Sequence, residues 1–160
     1  MTTTGNRTSI EADPVLPTIR VVREFDAPPA RVYRAWTDPA LVVRWMGAND
    51  LTLRLDTWDA RTGGSYRYAA PRDGAEVAAF YGSFHELRPN ERLVQTMTYE
   101  GLPDGVCLET ITFEDLGDGR TRTTSVTVVD TMEARDGLLV STEHGVVEGF
   151  ARMDSLLAEG

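Results

Sequence analysis

The chain has 160 residues, of which 41% are hydrophobic and 26% are charged, so it is long enough for one domain whose core needs no metal or disulfide. Its net charge of −9 argues against nucleic-acid binding, since phosphate contacts need a positive surface. All sixteen basic residues are arginine, which excludes a Schiff-base or phosphate-loop lysine, and the single cysteine and two histidines exclude an internal disulfide and a multi-histidine zinc site.

The first seventeen residues are polar and lack the basic start and apolar block of a secretory signal. We therefore predict a flexible arm over residues 1–17 and a single domain over residues 18–160. No apolar run approaches the roughly 18–20 residues of a membrane span. These features predict a cytoplasmic protein without a membrane span.

The domain is predicted to begin with one strand and two short helices. Residues 18–25 alternate apolar and charged side chains, which is typical of a strand. Asp26 is predicted to cap a helix over residues 29–37. Asp38 is followed by proline and predicts the start of a second helix, over residues 39–46.

Between residues 51 and 129 the sequence has the period of two that is typical of strands. Six strands are predicted, over residues 51–58, 65–69, 75–87, 92–100, 106–114 and 120–129. The intervening segments are rich in Gly, Pro, Asn and Asp, which favours hairpins. The sequence therefore predicts an antiparallel sheet.

Residues 132–157 return to helical spacing, and only this helix is long enough to cover the sheet. The result is an α+β fold in which a curved sheet grips one helix. Gly149 falls inside the apolar stripe of the helix and Gly145 at its edge, although each costs about 0.5–1 kcal/mol relative to alanine. Either the helix approaches the sheet closely at these glycines, or it leaves a cavity there. His144 lies on the opposite face and is predicted to pair with Glu148.

Five segments, in order along the chain, resemble one known family. They are RVYRAWTDPALVVRWMG, DARTGGSYRY, YGSFHELRPNERLVQT, LETITFEDLGDGRTR and EARDGLLVSTEHGVVEGFARMDSLLA. Over about residues 18–158 the chain resembles the proteins similar to the activator of the Hsp90 ATPase, within the START and birch-pollen-allergen superfamily. Thr62 and the pair Ser141-Thr142 depart from the family pattern, where proline and Gly-Met are usual.

This resemblance implies a helix-grip fold: a seven-stranded antiparallel sheet wrapped around the C-terminal helix, with two short helices after the first strand. It also implies a cavity between sheet and helix for an apolar or aromatic small molecule. The candidate lining residues, chosen by strand alternation and helix projection, are Trp45, Met46, Tyr66, Tyr68, Met97, Tyr99, Glu109, Ile111, Thr142, Val146, Gly149, Phe150 and Met153. For each of them, ordinary core packing is the alternative.

Two placements stay open at this stage. Thr123, Ser125 and Thr127 share one face of the strand over residues 120–129, and either this face or the opposite, valine-bearing face points inward. Trp58 ends a strand and is either part of a lid or a cover on the outer face.

Glu109 is the polar candidate, because alternation places it on the same face as Ile111. A buried carboxylate must be paired or have a raised pKa. Arg67 or Arg122 on a neighbouring strand is a candidate partner, and the equal alternative is that both lie on the solvent face. Glu109 is a candidate to orient a ligand hydroxyl or to act as a catalytic base. The alternative is a carboxylate that reaches solvent. His85 is predicted to be a surface imidazole.

Three functions follow from these features. The first is a module that binds a small apolar or aromatic molecule and needs neither cofactor nor metal. The second is an enzyme, a cyclase or hydrolase, that uses the same cavity. The third, carried by the family name, is a chaperone partner. It ranks last, because the eukaryotic activators join this domain to an N-terminal domain that makes much of the chaperone contact. A homodimer is left open.

Overall fold

The computed structural model describes residues 8–46 and 53–159, which form eight strands and three helices. In chain order these are β1 (Ser9–Ala12), β2 (Thr18–Phe25), α1 (Pro29–Thr37), α2 (Pro39–Trp45), β3 (Arg54–Trp58), β4 (Ser65–Arg72), β5 (Ala75–Arg88), β6 (Arg92–Tyr99), β7 (Cys107–Gly117), β8 (Arg120–Val128) and α3 (Met132–Ala158). The predicted α+β fold, with a curved antiparallel sheet and a long C-terminal helix, is confirmed. None of the helices in this described part combines the length and apolar composition that a membrane span needs.

The sheet has the order β1-β2-β8-β7-β6-β5-β4-β3, and every neighbouring pair is antiparallel. The prediction of seven strands was wrong by one, because Ser9–Ala12 pairs with β2 from Val22 to Ile19. This edge strand lies within the segment that was predicted to be a flexible arm. Part of that arm, residues 1–7, lies outside the described residues.

Each of the two short helices begins with a proline, Pro29 in α1 and Pro39 in α2. Asp38 caps α2 as predicted, and its side chain accepts a hydrogen bond from the backbone N–H of Ala40 at 2.9 Å. Asp26 does not cap α1, contrary to prediction, because α1 starts directly after Pro28 and Asp26 therefore comes two residues too early. Its carboxylate instead accepts a hydrogen bond from Nε of Arg120 at 2.8 Å.

Helix α3 is most deeply buried in its C-terminal half. The fully buried residues of that half are Gly149, Phe150, Met153, Leu156 and Leu157. Asp154 on this half forms a two-pronged ion pair with the buried Arg23 of β2, at 2.7 and 2.6 Å. The pair fixes the helix against the sheet, while the half-buried positions before Gly149 leave space below the middle of the helix.

Candidate functional site

A pocket of about 190 Å³ lies between the inner face of the sheet, the end of α2 and the middle of α3. Its lining residues are Val21, Trp36, Trp45, Met46, Trp58, Tyr66, Tyr68, Gln95, Met97, Glu109, Ile111, Ser125, Val146 and Phe150. Most of these side chains are aromatic or aliphatic, and polar groups are contributed by Gln95, Glu109, Ser125 and the two tyrosines. A mostly apolar wall with a few polar groups is typical of sites for small organic molecules.

Strand alternation explains how the sequence brings the lining residues together. Strands β4, β6 and β7 each supply two positions that are two residues apart, such as Tyr66 and Tyr68 on β4. The register then places neighbouring strands side by side, with Gln95 of β6 opposite Glu109 of β7. In the same way, Ser125 of β8 lies opposite Ile111 of β7. The pocket floor is therefore fixed by backbone pairing in the centre of the sheet.

Most of the sequence candidates meet in this pocket. Those that line it are Trp45, Met46, Tyr66, Tyr68, Met97, Glu109, Ile111, Val146 and Phe150. The structure places Tyr99, Thr142, Gly149 and Met153 elsewhere. Met153 is fully buried in the core, and Thr142 is half-buried one turn before Val146. Tyr99 is 38% exposed, because β7 begins at Cys107, opposite Met97, and no β7 residue pairs with Tyr99.

Gly149 lies against α2 and not at the pocket wall. A Cβ atom at this position would be 3.3 Å from the backbone oxygen of Trp45 and 3.7 Å from its ring. Nε and Nη2 of Arg152 both donate hydrogen bonds to this backbone oxygen of Trp45, at 3.1 and 2.9 Å. Gly145 is exposed, and a Cβ there would meet nothing within 4 Å. Close approach of two helices therefore explains Gly149, and no contact explains Gly145.

Sequence reasoning missed Val21, Trp36 and Gln95 as lining residues, although Gln95 is two residues from the candidate Met97 and strand alternation would have identified it.

The structure resolves the two placements that the sequence left open, that of Trp58 and that of the inward face of β8. Trp58 lines the pocket, and its indole N–H donates to the backbone oxygen of Thr37 at 2.8 Å.

On β8 the hydroxyl-bearing face points inward. Thr123 is buried and Ser125 lines the pocket, whereas Val128 is 39% exposed. The inner wall of this strand is therefore hydroxyl-lined.

Glu109 borders the pocket, and each of its carboxylate oxygens accepts a hydrogen bond from a neighbouring side chain. Nε2 of Gln95 donates to Oε1 at 2.8 Å, and Oγ1 of Thr127 lies 3.5 Å from Oε2. Glu109 is half-buried, because it borders the pocket, and the surrounding protein removes most of its hydration. Desolvation raises the pKa of Glu109 above its usual range, and the two hydrogen bonds offset part of this effect.

Arg67 and Arg122 do not pair with Glu109, and the structure agrees with the alternative that both lie on the solvent face. Arg67 lies on the outer face of the sheet, where its Nε donates to Glu100 at 2.7 Å. Arg122 lies on the same outer face and donates to Glu114 at 3.0 Å. The strand period explains this, since the residue between two inward-facing tyrosines must face outward. Glu109 therefore faces the pocket without either candidate counter-charge.

The other titratable side chains near the pocket are held neutral. Burial raises the pKa of Cys107 to about 12, so the reactive thiolate is not formed at neutral pH. Burial likewise raises the pKa of Tyr66 and of Tyr68 well above the usual tyrosine range. The hydroxyl of Tyr66 donates to the backbone oxygen of Thr96 at 2.6 Å. Among these groups, Glu109 is the one whose raised pKa starts from an acidic range.

Neither histidine lies at the pocket. His85 is exposed on β5, and His144 is exposed on α3, where its Nδ1 lies 2.8 Å from the backbone oxygen of Val140. The ring of His144 thus contacts the preceding turn of its own helix and not Glu148. In the described residues, no group of three or more His, Cys, Asp or Glu side chains is arranged to hold a metal ion.

Replacing Glu109 with glutamine is expected to change how stability depends on pH. Because the folded pKa is raised above its ordinary value of 4.5, the native state holds this proton at pH values where the unfolded chain has lost it. The free energy of unfolding of the wild type therefore falls as the pH rises through that window. The variant, which cannot ionise here, should lack this component.

Urea denaturation at a series of pH values from about 4 upward measures the difference between the two proteins. The wild type should lose stability relative to Glu109→Gln as the pH rises. Glu114→Gln is the matched control, since it removes a carboxylate from the outward-facing side of the same strand. Parallel curves for the wild type and Glu109→Gln would show that Glu109 has no raised pKa.

Comparison with known proteins places this geometry in a family. The family model described as activator of Hsp90 ATPase homolog 1-like protein matches residues 26–158. None of the curated proteins compared with this chain matches it significantly.

Solved bacterial structures share the fold. A protein from Rhodobacter sphaeroides is 23% identical, with a TM-score of 0.86 over 96% of this chain and 100% of that one. A protein from Chromobacterium violaceum is 30% identical, with a TM-score of 0.73 over 88% and 96% of the two chains. One from Arthrobacter aurescens is 25% identical, with a TM-score of 0.81 over 95% and 92%. The helix-grip arrangement is thus common to proteins of several bacteria.

Proposed function

This chain belongs to the family of proteins like the activator of Hsp90 ATPase homologue 1, and from that premise we propose that it binds a small, largely apolar molecule between the sheet and α3. The observation that carries the proposal is the pocket of about 190 Å³ beneath the middle of α3. The sequence candidates that line the pocket, from Trp45 to Phe150, are the proposed ligand-binding residues.

The volume of the pocket limits the size of the ligand. Sites for drug-sized molecules measure roughly 300–1,000 Å³, whereas an apolar cavity of about 150 Å³ is enough to bind benzene. A volume of about 190 Å³ therefore suits one aromatic ring with a short substituent. Sterols and long lipids, which other members of the superfamily bind, are too large for it.

Val146→Phe is expected to block the pocket and abolish binding. Val146 lines the pocket, so a phenyl ring there would occupy part of the ligand volume. Val147→Phe is the matched control, because Val147 is the next residue of α3 and is 52% exposed. Isothermal titration with benzyl alcohol and indole measures the effect. Binding by the wild type and Val147→Phe, but not by Val146→Phe, would support the proposal.

The proposed function fails if neither probe binds the wild type and native mass spectrometry of protein purified from its own host finds no bound small molecule. It also fails if Val146→Phe binds the probes as tightly as Val147→Phe does. Circular dichroism of both variants checks that each is folded.

A second candidate function is an enzyme that uses the same pocket, favoured by the raised pKa of the Glu109 carboxyl at its wall. In that case Glu109 would act as a general acid or base. Glu109→Gln should then abolish turnover of a substrate found by screening, and unchanged turnover would eliminate Glu109 from this role. A chaperone partner and a cytoplasmic location stay predictions. Stimulation of the cognate chaperone's ATPase tests the former.

A further inference from the structure

Six of the fourteen residues that line the pocket are aromatic. The rings are those of Trp36, Trp45, Trp58, Tyr66, Tyr68 and Phe150. The rings also contact one another. The ring centroids of Trp36 and Trp45 are separated by 5.1 Å, and the rings of Tyr66 and Tyr68 are stacked with a centroid separation of 5.9 Å. Aromatic faces are electron-rich and attract cations, tryptophan most strongly.

Several hydrogen-bond donors on these walls are already used by the protein. The indole N–H of Trp45 donates to Ala35, that of Trp58 donates to Thr37, and the hydroxyl of Tyr66 donates to Thr96, each to a backbone oxygen. These side chains therefore offer a ligand ring faces, together with the remaining lone pairs of the tyrosine oxygen.

Next to Glu109 the side-chain oxygen of Gln95 is an acceptor, whereas the hydroxyls of Ser125 and Tyr68 can both donate and accept. The amide N–H of Gln95 is directed at the carboxylate, so the amide oxygen is the part of Gln95 left for other partners. Of the described residues that line the pocket, none is basic, and Glu109 is the one that carries a carboxyl. When the Glu109 carboxyl is ionised, the described lining supplies no counter-charge, and a ligand in the pocket is placed to supply one.

We infer that the ligand is a small primary amine bound as its cation, an inference that rests on the proposed function. Its ammonium group lies at the Glu109 carboxylate, and its apolar body lies between the aromatic rings. An ammonium group supplies three donors to a site rich in acceptors. Its charge lies among aromatic rings, which favour cations, and beside a carboxylate that has no partner of opposite charge among the described residues. Ion pairing would also favour the ionised carboxylate and so lower its raised pKa.

The same features disfavour the other ligand classes. A carboxylate or phosphate ligand would face Glu109 and a protein of net charge −9, and the lining residues that the structure describes include no basic group to bind it. A neutral alcohol would fit the volume, but it would supply no counter-charge to the ionised form of Glu109. The cation is therefore the ligand that satisfies both the apolar walls and the carboxylate.

Benzylamine and benzyl alcohol form a matched pair of probes, because they have the same number of non-hydrogen atoms and differ in charge at neutral pH. Isothermal titration should show that the wild type binds benzylamine at least about 10-fold more tightly than benzyl alcohol. In Glu109→Gln the affinity for benzylamine should fall roughly 10- to 100-fold, so that the preference for the amine disappears. Glu114→Gln, which removes an exposed charge from the same strand, should retain the preference.

The outcomes separate the inference that the ligand is an amine from the proposal that the pocket binds a small molecule. If benzyl alcohol binds as tightly as benzylamine, or if Glu109→Gln retains the preference, the amine is the wrong ligand class, while binding that Val146→Phe abolishes still supports the proposed function. If neither benzylamine nor benzyl alcohol binds the wild type, the amine inference fails, and the proposed function fails with it only if indole also does not bind and native mass spectrometry finds no bound small molecule. If Glu109→Gln does not fold, the wild-type affinities alone decide, since equal affinities overturn the inference.

Discussion

Replacing Trp36 with alanine is expected to lower the free energy of unfolding by about 3–5 kcal/mol. The indole is 8% exposed and lies at the centre of an aromatic cluster that joins α1, α2, α3 and the sheet. Its ring centroid lies 6.0 Å from that of Phe25, 5.1 Å from Trp45, 5.5 Å from Phe113 and 5.9 Å from Phe150. Truncation would remove all four contacts and open a cavity in the core. Urea denaturation measures the loss.

Trp36→Phe is the control, because it keeps a ring at the centre of the cluster and removes less volume. It should lose less than half of the stability that Trp36→Ala loses. A loss below about 1 kcal/mol for Trp36→Ala would mean that the cluster rearranges to fill the space. Because Trp36 also lines the pocket, Trp36→Phe should enlarge the pocket and let it admit a larger probe than benzyl alcohol.

Elements with strong local signals were predictable from the sequence. The alternation of residues 18–25 predicts β2 with its observed bounds, Thr18–Phe25. The pair Asp38-Pro39 predicts the start of α2, because an aspartate before proline caps a helix whose first N–H is missing. Such signals involve neighbouring residues only, so no knowledge of the tertiary structure is needed to interpret them.

Features that depend on partners distant in sequence were predicted less well. Strand β1 has four residues, too few for a clear period, and pairing with β2 is what defines it. Strand alternation was enough to place Arg67 on the outer face, away from Glu109, because Arg67 lies between Tyr66 and Tyr68, which were both assigned to the inner face. Gln95 was detectable by the same alternation.

The size of the pocket and the position of Gly149 depend on how far α2 and α3 approach each other. Helical projection shows which face of α3 a residue occupies, but not whether that face meets a sheet, a second helix or an open volume. The 3.3 Å separation between a Cβ at Gly149 and the backbone oxygen of Trp45 decides this point in favour of helix–helix contact.

Replacing Gly149 with leucine is therefore expected to lower the free energy of unfolding by about 1–3 kcal/mol, since overpacking at a close contact forces the backbone apart. The first side-chain carbon would press on the backbone oxygen of Trp45, which Arg152 already holds by two hydrogen bonds. Displacement of Trp45 and Met46 would also deform the pocket that both residues line, so affinity for benzyl alcohol should fall with stability. Urea denaturation and isothermal titration measure the two effects.

Gly145→Ala on the same helix provides the comparison, because a Cβ at Gly145 meets nothing within 4 Å. This variant should gain about 0.5–1 kcal/mol from the higher helix propensity of alanine, without a change in ligand affinity. If Gly149→Leu instead kept wild-type stability and lost only ligand affinity, the side chain would be pointing into the pocket. In that case Gly149 would provide space for the ligand, and its packing against α2 would not be the reason for the glycine.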